Sequence, residues 1–114
     1  MHIIERVVIV CNVQDDYTGS DDVRVSLDGQ EIGRVSIKDR GILGGTAADH
    51  IEGGWEVHAG SRIVIEELDL TDSNDPLWDH TVTDEDFARG TVTGGTWAHG
   101  MYDFGVHFRY EAPQ

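Results

Sequence analysis

This chain is poor in the residues that most often explain a small protein. It has one cysteine, two prolines, one lysine and no long hydrophobic run in 114 residues. The single thiol, Cys11, rules out an intrachain disulfide. It sits in an apolar strand-like run with acidic residues downstream, so it reads as a buried side chain rather than a cationically activated nucleophile. No stretch reaches the length of a transmembrane helix. The N-terminal run Val7-Val8-Ile9-Val10 is far too short for the apolar core of a signal peptide, and no small-residue cleavage site follows it. The chain as written is expected to be soluble, either cytoplasmic or exported by other means.

Positive charge is also scarce. Eight Lys and Arg stand against 22 Asp and Glu, giving a formal net charge of -14. Seven of the eight cations are Arg and only Lys38 is a lysine. Phosphate backbones are held by Lys and Arg clusters, so nucleic acid is excluded as a partner. Unaided binding to anionic membranes is excluded by the same balance, although a bridging cation would reverse that locally.

Catalytic signatures are missing as well. There is no Gly-x-Ser-x-Gly elbow and no Gly-rich phosphate loop with its Lys-Ser/Thr. The six histidines show no His-x-x-x-His spacing, which leaves zinc without support. Paired carboxylates can serve a glycosidase, but a chain of this length offers little cleft. The expectation is a module without enzymatic activity.

What the chain has is glycine, 14 of them, punctuating short runs of β-branched and aromatic residues. The length suits one domain, residues 1–114, with one core. Strand patterns fall at residues 5–13, 23–27, 31–37, 62–70, 91–97 and 102–110, with further short strands at 41–46 and 55–57. Val23, Val25 and Leu27 alternate with Arg24 and Ser26, so one face of that strand is buried. Asp28-Gly29 then signals a two-residue hairpin. In the last strand Tyr102, Phe104, Val106, Phe108 and Tyr110 share one face at period two. Residues 71–79, with Pro76, read as a polar loop. Residues 81–87 read as a strand or a single helical turn, with Thr83-Asp84-Glu85-Asp86 as a helix start. No 3.6-residue periodicity is sustained. The pattern predicts an all-β protein, an antiparallel β-sandwich of seven or eight strands.

The acids are concentrated in two places. One cluster, Asp15, Asp16, Asp21 and Asp22, follows the first apolar run. The other, Glu66, Glu67, Asp69, Asp72, Asp75 and Asp79, starts inside Ile63-Val64-Ile65. Acidic turns are commonly just solvated. Yet packed carboxylates on turn-forming residues are also the donor set a hard divalent cation needs, six to eight oxygens for calcium. Glu67 and Asp69 are two apart, so in an extended strand they face one way. Neither cluster fits the alternating register of an EF-hand loop.

The first cluster reads Asp16-Tyr17-Thr18-Gly19-Ser20-Asp21-Asp22-Val23-Arg24-Val25. It resembles the first calcium loop of C2-type sandwiches, Asp-x-x-Gly-x-Ser-Asp-Pro-Tyr-Val-x-Val, with one residue fewer before the Ser. The second, Glu67-x-Asp69 followed by Asp75, is similar to the family's Asp-x-Asp…Asp loop. Bacterial stand-alone domains with acidic Gly-Ser-Asp loops of this kind also look similar. The resemblance implies a C2-like, Greek-key sandwich that binds calcium at one end. It implies Asp16, Asp21, Glu67, Asp69 and Asp75 as ligands, with Asp15, Asp22 and Asp72 as neighbours or substitutes. It further implies recognition of anionic lipid or protein through the metal. The departures are Asp22 for Pro, Val23 for an aromatic, Glu67 for Asp, Leu77-Trp78-Asp79 where the family has Ile-Gly after the last Asp, and the missing Lys-rich sheet face. Two tryptophans add recognition candidates. Trp78, placed by the pattern in the second acidic loop, could enter a membrane interface. Trp97, set among glycines and beside His99, could serve a metal-independent protein- or carbohydrate-binding loop.

Overall fold

The computed structural model describes residues 1–13, 20–38, 47–68, 75–96 and 101–112. Within them lie eight strands and one short helix. The strands are β1 (His2–Val13), β2 (Ser20–Leu27), β3 (Gln30–Lys38), β4 (Ala47–Val57), β5 (Arg62–Glu67), β6 (Asp75–Thr81), β7 (Thr91–Thr96) and β8 (Met101–Tyr110); the helix α1 is Asp84–Arg89. They form two four-stranded antiparallel sheets, in the orders β4-β1-β8-β7 and β3-β2-β5-β6. The all-β sandwich expected from the strand pattern is the architecture observed.

Alternation makes the core. Val25 and Leu27 of β2 pair with Ile65 and Ile63 of β5, and these four are buried together with Val23. From the other sheet come Ile4, Val7, Ile9 and Cys11 of β1, and Tyr102, Phe104, Val106 and Phe108 of β8. Cys11 is 1% exposed, as its apolar setting predicts. Period two would put Ile4 and Val7 on opposite faces. A register shift between Ile4 and Arg6, present toward both β4 and β8, returns both to the interior. Such bulges bend a strand and re-aim the side chains beyond it.

The Asp28-Gly29 turn has positive φ at both residues, 50° and 85°, as a type I′ hairpin requires. Only glycine takes the second of these values without strain. Gly29→Ala is expected to lower stability by about 1 kcal/mol, read as a shift in the urea midpoint at unchanged m-value.

Two expectations are corrected by the structure, one unassigned stretch is filled and one open alternative is decided. Residues 47–54, unassigned in the sequence, belong to β4, which pairs with β1 along most of its length. Pairing with a strongly apolar neighbour outweighs the poor strand propensity of Gly53 and Gly54. Residues 75–79, read as loop, are strand β6. Pro76 is tolerated there because β6 is an edge strand and a register shift falls beside it, between Ile65 and Glu66. Tyr110 is 64% exposed rather than core; it lies at the far end of β8, edge-on to His2 with centroids 5.3 Å apart. The segment at 81–87 resolves into the helix start. The short strand expected at 41–46 lies outside the described residues.

Candidate metal centre at the loop end

Strand direction decides which connections share an end. β1 runs toward Val13, and Val13 pairs with Met101 at the start of β8. Ser20, at the start of β2, pairs with Lys38, at the end of β3. Glu67, at the end of β5, pairs with Asp75, at the start of β6. The strand ends flanking residues 14–19, 39–46, 69–74 and 97–100 therefore gather at one end of a molecule 50 Å long. The Asp28-Gly29 turn, the His58–Ser61 turn and α1 lie at the other.

Three of the five proposed ligand positions sit on strand ends there. Val23 pairs with Glu67, two residues from Asp21, and Glu67 pairs in turn with Asp75. The Leu68 amide donates to the Asp22 carbonyl at 2.8 Å. This bond extends the β2–β5 ladder to the point where the chain leaves β5. Glu67 is half-buried on the inward-facing parity of Ile63 and Ile65, whereas Asp22 is exposed. The other two ligand candidates, Asp16 and Asp69, fall outside the described residues, as do Asp15, Asp72 and Trp97.

The structure also divides the acidic clusters. Glu66 is not part of the loop-end set: it accepts from Arg24 Nε at 3.0 Å on the outer face of its sheet. Asp79 lies further down β6 and accepts from Arg62 Nε at 2.8 Å. The hydrogen bond from Arg62 holds Asp79 below the ordinary carboxylate range, and the same contact raises Arg62. Two of the acids are thus matched by arginines and spare the loop end no charge. Among the described residues, no group of three or more His, Cys, Asp or Glu is placed to hold a metal ion.

Trp78 is a core-edge residue rather than a loop tip. It stacks on Phe104 at 5.7 Å and on His80 at 5.2 Å. Its indole nitrogen occupies the space of a side chain at Gly94, 2.4 Å from where a Cβ would stand. Trp78 therefore closes the gap between edge strands β6 and β7. The position in β6 removes the loop-tip placement on which its membrane role was expected.

The chain is similar to a solved structure described as "Structure of a C2 domain". The two share 12% identity, the match covers 95% of this chain and 99% of that one, and the TM-score is 0.59. The protein has a C2-like fold. No protein-family model and no curated protein matches the sequence. At this identity the likeness speaks for the C2-like sandwich itself, and the chemistry of the loop end rests on the residues of this chain.

Sequence reasoning missed one pair in the C2-like sandwich. Asp86, 5% exposed, lies at the third position of α1. Its Oδ2 accepts from the Thr83 amide at 2.9 Å, while the Thr83 hydroxyl accepts from the Asp86 amide at 3.3 Å. His80 Nε2 lies 2.7 Å from the same Oδ2. Burial pushes the Asp86 carboxyl up, but the hydrogen bonds from His80 and Thr83 outweigh it and hold the group below its usual range. An ionised Asp86 accepts only, so His80 donates through Nε2. The Thr-x-x-Asp spacing carries the capping signal; nothing in the sequence points to His80.

Proposed function

We propose that the protein is a calcium-binding module, with the metal held at the loop end by Asp16, Asp21, Glu67, Asp69 and Asp75. The observation that carries this reading is the register. Asp21, Glu67 and Asp75, drawn from two separate acidic clusters, stand on neighbouring strand ends of one sheet. Carboxylate oxygens are the donors calcium prefers, and three positions from three strands are the start of a cage rather than a chelating loop. The residue types at these positions are the kind of donor the metal takes. Bound calcium would offset the repulsion among acids in a chain of net charge -14. It would leave a cationic centre for an anionic lipid headgroup or a carboxylate of a partner protein.

The test is isothermal calorimetry with calcium on chelator-treated protein. Saturable heat is expected, reduced in Asp21→Asn and Glu67→Gln and unchanged in Asp79→Asn, whose carboxylate serves Arg62. The absence of heat at millimolar calcium would sink the reading. For the lipid arm, calcium-dependent sedimentation with phosphatidylserine vesicles is expected. Binding to calcium without any vesicle pelleting would leave protein recognition as the role.

A further inference from the structure

The outer face of the β4-β1-β8-β7 sheet carries a cavity of about 440 Å³, lined by Glu5, Arg6, Glu52, Gly53 and Arg109. It exists because of the bulge. Between Ile4 and Arg6 of β1, the β4 partner moves from Trp55 to Glu52 while the β8 partner moves only from Phe108 to His107. The ladder is thus spread on the β4 side at Gly53-Gly54. The Trp55 ring lies where a side chain at Gly53 would stand, 2.6 Å from its Cβ position, and Arg109 Nη2 comes within 3.4 Å of the corresponding point at Gly54. Gly53 is left as a floor between charged walls.

Two of the charges on those walls, Arg6 and Glu5, are held apart, while Glu52 lies 3.4 Å from His50 Nε2. Arg6 and Glu52 are directly opposite in register, where opposite charges ordinarily pair. Yet among the described residues neither Arg6 nor Glu5 forms an ion pair. The other arginines with described side chains, Arg24, Arg34, Arg62, Arg89 and Arg109, each have a carboxylate partner. In so acidic a chain, an unpaired guanidinium beside two carboxylates needs an explanation. A concavity that keeps its own cation and anions from meeting is complementary to a ligand carrying both signs. A simple anion would be repelled by Glu5 and Glu52, and a simple cation by Arg6 and Arg109.

We propose that this cavity binds a small zwitterion of amino-acid or dipeptide size, its carboxylate at Arg6 and its ammonium at Glu5 and Glu52. Arg109, tied at 3.7 Å to Glu111, forms a wall and steadies the anionic end. The site stands apart from the loop end: it lies about 25 Å down β1 from Val13 at strand rise, and it needs no metal. Exposed charges are screened by water and salt, so the affinity is of millimolar order and falls as salt is raised.

Three dipeptide probes that differ in terminal charge test this: Ala-Ala, N-acetyl-Ala-Ala and Ala-Ala amide. Each is titrated into calcium-free protein while the backbone amides of Gly53 and Gly54 are followed by heteronuclear NMR. Ala-Ala is expected to shift both amides in a saturable way. Each blocked probe, and Ala-Ala with Arg6→Gln or Glu52→Gln protein, should bind about tenfold more weakly. Equal binding of a blocked probe, affinity unchanged in both variants, or no shift with Ala-Ala would each overturn the proposal. Both substitutions are at exposed positions, and the remaining amide spectrum reports that the fold is kept.

Discussion

Saturating calcium is expected to raise the thermal midpoint of metal-free protein by roughly 10 °C. A ligand at a hundredfold excess over its dissociation constant stabilises the native state by about 2.7 kcal/mol. For a domain of this length each kcal/mol moves the midpoint by roughly 4 °C. The unfolded chain cannot assemble carboxylates from two clusters more than 40 residues apart (Asp21 to Glu67), so it competes poorly for the metal. Asp69→Asn should abolish most of the rise. It should also leave the metal-free protein as stable as the parent or more so, because it removes one of several mutually repelling charges. Differential scanning calorimetry with and without calcium measures both. A rise of equal size in parent and variant would mean that calcium acts elsewhere or by general screening. A rise that magnesium reproduces in full would argue for the same conclusion, since a cage able to discriminate would favour the larger, less tightly hydrated ion.

Asp86→Ala is expected to cost about 3 kcal/mol, the sum of a lost cap and a lost charge-assisted hydrogen bond. The carboxylate ties three elements together: it caps α1 through Thr83 and anchors His80 of β6. His80 in turn stacks on Trp78, which closes the β6–β7 edge. Removing the carboxylate strands donors at the Thr83 amide and His80 Nε2. Thr83→Ala, which loses only the hydroxyl half of the cap, should cost about 1 kcal/mol. The pH dependence has a definite sign. Asp86 is held below its ordinary range in the folded state, so its contribution is complete above the ordinary carboxylate range. It is lost as pH falls through the depressed value. Parent and Asp86→Ala should therefore differ most at neutral pH and converge on acidification. Chemical denaturation across that window gives the answer; a constant gap would mean that the carboxylate is not the stabilising group. A double-mutant cycle with His80→Ala isolates the His80–Asp86 coupling.

Legibility differed along the chain for identifiable reasons. The period-two run from Tyr102 to Phe108 was readable because a strand buried on one face must alternate. Asp28-Gly29 was readable because few sequences take positive φ twice. Thr83-Asp84-Glu85-Asp86 was readable as a cap because the hydroxyl and carboxylate at that spacing satisfy the helix's first amides. β4 was not readable. Its glycine pair makes a bulge, and its strand character comes from β1 rather than from its own residues. Pro76 misled because proline's exclusion from strands fails at an edge. Trp78 was misplaced with it, so a residue that packs between the sheets was assigned to a loop.

By itself the sequence determined the class of fold, the single core and the two acidic stretches, since alternation, glycine punctuation and charge are local properties written residue by residue. Tertiary structure alone decided which acids are neighbours. Strand pairing sets Asp21, Glu67 and Asp75 on one end and hands Glu66 and Asp79 to Arg24 and Arg62. It also joined His80 to Asp86 and opened the cavity between Arg6 and Glu52. These depend on register, and register is a relation between strands far apart in the chain.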